Sequence, residues 1–112
     1  MALKSHQLRF IAGDTLPELR GTLTEDDGTT PIDLTGAAVA LHIGYEIPLV
    51  KTATILDAAA GQWQVSWETS DLREGVYSYE IQITDSGGDM RTINRHSDTD
   101  KPLQMIIDPE IA

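Results

Sequence analysis

Gln62-Trp63-Gln64-Val65-Ser66-Trp67-Glu68 decides the fold class of this 112-residue chain. Trp63, Val65 and Trp67 alternate with Gln62, Gln64, Ser66 and Glu68. Successive side chains of a strand point to opposite faces, so this spacing places both indoles and the valine on one side of a half-buried strand. Residues 76–84 repeat the pattern, with Tyr77, Tyr79, Ile81 and Ile83 opposed by Ser78, Glu80, Gln82 and Thr84. Val39, Leu41 and Ile43 alternate with Ala38, Ala40 and His42. Leu103, Met105 and Ile107 alternate with Pro102, Gln104 and Asp108, although Ile106 interrupts the polar face.

Outward from these runs lie weaker strand candidates at 7–12, 19–24, 49–56 and 90–95. Breakers separate them: Gly13-Asp14, Asp27-Gly28, Thr35-Gly36, Gly61, Gly75 and Gly87-Gly88. Seven to eight short strands so punctuated predict an all-β antiparallel β-sandwich. Residues 70–75 have room for one helical turn between strands, with Ser70 as its N-cap and Gly75 ending it. The polar stretch 94–101 has no alternation and is expected to be a connection before the last strand.

The size implies a single domain, 1–112, with its core at about 7–108. Leu, Ile, Val and Phe make up 27 residues, enough to bury a small core. There is no apolar run of membrane-helix length. The polar start, Met1 to His6, has no apolar signal core, so export by that route is not expected. With no cysteine, disulfides and thiolate metal sites are excluded. Eight Lys and Arg stand against 18 Asp and Glu, a net charge of −10, which opposes nucleic acid and suits a basic partner.

The residues that could carry chemistry read as structure. Glu25-Asp26-Asp27 and Asp85-Ser86-Gly87-Gly88-Asp89 are acidic, but neither has the spacing of a calcium loop, and both are expected to form turns. His6, His42 and His96 lack the spacing of metal-binding pairs. There is neither a Gly-x-Ser-x-Gly elbow nor a phosphate loop. The expectation is no enzyme activity, no catalytic or metal site and no cofactor. Trp63, Trp67, Tyr77 and Tyr79 are expected to pack between sheets; on the surface they would instead make a platform for carbohydrate. Tyr77, just after Gly75, sits where a tyrosine hydroxyl ties a sandwich corner.

The motifs also occur in a recognisable order. Gly13-Asp14-Thr15 and Pro17 precede an apolar strand; Asp27-Gly28 precedes Ile32-Asp33-Leu34-Thr35-Gly36-Ala37; then come Gly61, Trp67, Asp71-Leu72, Gly75-Val76-Tyr77 and Asp85-Ser86-Gly87. From about residue 8 to 108 this order resembles the N-terminal immunoglobulin-like domain of the phage baseplate upper protein family and related small virion proteins. The resemblance implies an immunoglobulin-like sandwich and a non-enzymatic structural role in a tailed-phage virion. The implied role is an adaptor in the baseplate, fibre attachment or neck that docks other virion proteins and assembles in the host cytoplasm. A carbohydrate- or cell-surface-binding module is the alternative.

Exposed edge strands invite pairing with another chain. The terminal segments are therefore the expected docking arms, with Met105, Ile106, Ile107 and Ile111 as partner-docking candidates and a homo-oligomer among the expected assemblies. Asp33, Leu34, Gly36, Trp63, Trp67, Gly75 and Tyr77 are expected to serve the core and turns.

Overall fold

The computed structural model describes residues 2–3, 8–16, 18–25, 27, 29–94 and 102–109. These contain ten strands and no helix: β1 (Ala2–Leu3), β2 (Leu8–Ile11), β3 (Leu19–Thr24), β4 (Ala38–Ile43), β5 (Leu49–Thr52), β6 (Thr54–Asp57), β7 (Gln62–Val65), β8 (Gly75–Thr84), β9 (Met90–Ile93) and β10 (Gln104–Asp108). One sheet has the order β1-β3-β7-β6. The other runs β2-β10-β8-β4-β5, with β9 also paired to β8.

The inward-facing residues of both sheets form one core. Leu23, Trp63 and Val65 from the smaller sheet meet Val39, Leu41, Ile43, Tyr79, Ile81, Ile83, Met105 and Ile107 from the larger one. Burying such side chains stabilises by roughly 1.5–3 kcal/mol each, and this burial is what joins the two sheets. Phe10 and Trp67 meet edge to face, with ring centroids 5.4 Å apart.

The chain is thus an immunoglobulin-like β-sandwich, as expected, with three differences. The predicted strand 49–56 is two strands, because Ala53 leaves the larger sheet after its N–H donates to the Val39 carbonyl at 2.8 Å and the chain enters the smaller sheet as β6. The predicted strand 62–68 ends at Val65, although Trp67 beyond it is still buried. The sandwich is not wholly antiparallel, since β10 runs parallel to β2. The helical turn expected at 70–75 does not form; instead residues 68–71 make a turn in which the Asp71 N–H donates to the Glu68 carbonyl at 3.0 Å and Asp71 Oδ2 accepts the Glu68 N–H at 2.8 Å.

The turn residues behave as their chemistry requires. Asp33 Oδ1 accepts the Thr35 N–H at 2.9 Å and the Thr35 hydroxyl at 2.6 Å, and Leu34 is fully buried beside it. Gly75 begins β8, and Tyr77, half-buried, donates its hydroxyl to the Glu74 carbonyl at 2.6 Å, which ties the corner. Gly36 has φ 73°, a left-handed backbone that disfavours side chains, and a Cβ there would lie 3.3 Å from the Ser86 Cβ. Gly36→Val should therefore cost about 1–3 kcal/mol. A thermal melt indistinguishable from that of the parent would contradict this.

Candidate docking edge

The expected docking arm is not where an arm would be useful. β10 is an interior strand, paired with β2 on one side and β8 on the other. Met105 and Ile107 point into the core with essentially no exposure, which removes them as docking residues. Only Ile106, on the outer face of β10, stays half-exposed, and Ile111 lies outside the described residues. Asp108 is held too: its carboxylate pairs with the Arg9 guanidinium at 2.7 and 3.0 Å, and its carbonyl accepts the Ala12 N–H at 2.8 Å. Residues 1, 4–7 and 95–101, including His6 and His96, also fall outside the described residues.

Among the described residues the most exposed large apolar side chain, Ile47, lies at a different edge. β5 ends the larger sheet and β6 ends the smaller one. In the β4–β5 turn Ile47 is 81% exposed and on β5 Val50 is 55% exposed, whereas Leu56, 48% exposed, lies beside Arg20, Thr22 and Gln62 on the smaller sheet. Val50 and His42 sit opposite each other in the β4–β5 register, on the outer face of the larger sheet. His42 Nε2 is buried there without a hydrogen-bond partner among the described residues.

Beneath this edge lies a polar knot. Lys51 Nζ, from β5, is 2.7 Å from Asp71 Oδ2, and both side chains are largely buried. The same Asp71 oxygen accepts the Glu68 N–H, so the carboxylate closes the β7–β8 connection on itself while holding the edge strand. Tyr45, in the β4–β5 turn, donates its hydroxyl to the Asp71 carbonyl and accepts the Arg73 N–H at 3.1 Å. The Arg73 guanidinium lies 4.6 Å from the centre of the Tyr45 ring, and the Tyr77 ring meets Tyr45 edge-on at 4.5 Å. Burial pushes the Tyr45 hydroxyl above its ordinary pKa, although the Arg73 N–H and charge work against the rise. The turn that presents Ile47 is therefore fixed from below by an ion pair, two hydrogen bonds and two ring contacts.

At another end of the sandwich Glu25, Asp33, Asp85 and Asp89 rim a groove of about 280 Å³, with Arg91 beside them and Ile32, Ala37 and Ile83 along it. Two of these carboxylates are engaged in turns, since Asp33 holds Thr35 and Asp85 Oδ1 accepts the Gly87 and Asp89 N–H groups at 2.9 and 3.0 Å. Among the described residues no group of three or more His, Asp or Glu could hold a metal ion. Asp27 is likewise a turn residue: it accepts the Thr30 hydroxyl and the N–H groups of Thr30 and Thr29, which lower its carboxyl to about 2. Because the folded pKa is depressed, this turn's contribution is complete above the ordinary carboxylate range near 3.8 and is lost as pH falls toward about 2. A carboxyl titration followed by NMR should place the Asp27 midpoint near 2, and a midpoint near 4 would contradict the turn.

The carbohydrate platform does not form. Trp63, Trp67 and Tyr79 are buried, and Tyr77 is engaged at the corner. The two indole N–H groups are buried without partners among the described residues.

No protein-family profile and no curated protein matches the chain. Among solved structures, the crystal structure of CopC from Methylosinus trichosporium OB3b aligns over 99% of this chain and 96% of its own, with TM-score 0.55 and 10% sequence identity. At that identity the likeness carries the fold alone. It corrects the expectation of a tailed-phage virion component, since a structure matched nearly end to end is CopC from Methylosinus trichosporium OB3b, not a baseplate, fibre or neck protein. The virion expectations rested on a motif order dominated by Gly and Asp. In the structure those residues are satisfied as sandwich turns, which any protein of this fold needs.

The residues of the docking edge escaped the sequence reading. The available signal was Ile47 followed by the adjacent pair Leu49-Val50, an apolar run that leaves no polar face for a strand.

Proposed function

We propose that this chain is a non-enzymatic recognition module that docks a protein partner along the edge formed by residues 44–52, the β4–β5 turn and β5. The observation that carries the reading is the exposure of Ile47 and Val50 along the β5 edge, above the Lys51–Asp71 and Tyr45 knot. Large exposed apolar side chains scattered singly need no explanation, whereas a cluster on an edge marks an interaction surface. Rigid support lowers the ordering cost of binding. The other edges are less suited. β6 bends at an irregularity between Ile55 and Asp57, a device that discourages pairing. β2 carries the Arg9–Asp108 pair beside it.

A photo-crosslinking amino acid placed at Ile47 tests this reading. It should form an adduct that disappears in the presence of excess unmodified protein. The same group at Met90, exposed on β9, should form none. Equal or unsaturable labelling from both positions would contradict the proposal.

A further inference from the structure

We infer that the partner on this edge is a second copy of the chain, joined β5 to β5 in antiparallel pairing about a two-fold axis. The inference rests on the docking reading above and adds the identity of the occupant.

The backbone supplies the first argument. Ala53 N–H bonds to the Val39 carbonyl, and the β4–β5 register continues with Lys51 opposite Leu41 and Leu49 opposite Ile43. Hydrogen-bonded pairs alternate along an antiparallel ladder, so the N–H and C=O of Leu49 and Lys51 face β4, whereas those of Val50 and Thr52 face the open edge.

Charge supplies the second argument. The chain carries −10, so most approaches between copies are repulsive. Residues 47–56 contain no Asp or Glu and a single cation, Lys51. A lysine on an edge strand ordinarily guards against pairing, but this one is turned inward and held by Asp71. A basic partner would find no carboxylate in this stretch to meet. A neutral apolar strand suits it, and β5 is itself such a strand.

Registry supplies the third argument. In a sheet continued across a two-fold axis, residues directly opposite share a face, so two registers are available near the middle of β5. One sets Lys51 against Lys51. The other sets Val50 against Val50, an apolar cross-strand pair in which each valine N–H meets the other's carbonyl. The second avoids opposed charges. It also places the two copies of Glu46 at opposite ends of the paired strands, about 26 Å apart.

Light scattering of the purified chain at rising concentration should then give a mass twice 12.3 kDa. Val50→Lys changes an exposed side chain outside the core and opposes like charges at the axis; it should weaken the association by at least about tenfold. Facing Val50 positions in this register have Cα atoms within disulfide range, roughly 5.5 Å apart. In a chain without other cysteines, Val50→Cys should oxidise to a covalent dimer, and Met90→Cys should not. A chain that stays monomeric at high micromolar concentration, or a dimer unaffected by Val50→Lys, overturns the inference. If the chain is monomeric but the Ile47 crosslink to another protein saturates, self-pairing fails and the docking reading stands. If the crosslink is absent as well, both fail.

Discussion

Asp71→Ala is expected to destabilise the fold by about 3 kcal/mol, because removing one member of a buried ion pair leaves its partner desolvated and uncompensated. Lys51 would keep its buried ammonium without the carboxylate now 2.7 Å away, and the Glu68 N–H would lose its acceptor. In a domain of this size the melting temperature should fall by roughly 10 °C. The double variant Lys51→Met/Asp71→Ala should recover part of the loss, because no buried charge is then left without its partner, although the Glu68 N–H still lacks its acceptor. The purpose of the pair is then positional. Among the described residues β5 is a four-residue edge strand bonded on one side only, and Asp71 fastens it to the β7–β8 connection. Asp71→Ala should also speed exchange of the Lys51 amide relative to amides in β8. Unchanged stability would show that the pair is too well solvated to fasten anything.

Gly61→Val should have the largest effect of any single change, about 4 kcal/mol or more, enough to leave much of the protein unfolded. Two causes act together. Gly61 has φ 68°, where a β-branched residue is strained, and its missing Cβ would lie 2.5 Å from the Leu23 carbonyl oxygen and 3.0 Å from that of Ile32. Those are backbone atoms on two neighbouring segments, so no side-chain rotation relieves the clash. The same residue also accepts the Leu23 N–H at 2.9 Å. Circular dichroism should report loss of cooperative folding. A folded variant with a normal melt would mean that the β3 and β6–β7 backbones can separate at little cost.

The strands were readable because alternation is local. Trp63 and Val65, then Tyr79, Ile81 and Ile83, and finally Leu103, Met105 and Ile107 all face the core as their parity requires. Parity does not say which strands are neighbours. The last strand looked like a free arm because Ile106 breaks its polar face, yet β10 pairs with a strand almost one hundred residues earlier, and that pairing turns Met105 and Ile107 into core. The docking edge was hidden for the same reason. Lys51 and Asp71 meet across twenty residues, and Tyr45 reaches Asp71 and Arg73 across the fold, so the knot becomes visible only once β4, β5 and β8 are in register. The motif order suggested a virion protein because turn residues recur wherever sandwich strands are joined. Such residues carry information about the fold and little about function.

The most direct test is amide hydrogen exchange of residues 49–52 in the purified chain over a dilution series. In dilute solution Leu49 and Lys51, bonded to β4, should be protected while Val50 and Thr52, facing the open edge, exchange freely. At concentrations where the chain associates, Val50 and Thr52 should become protected as well. Equal protection of all four amides in the most dilute sample would mean that this edge is already covered within a single chain and would contradict the account.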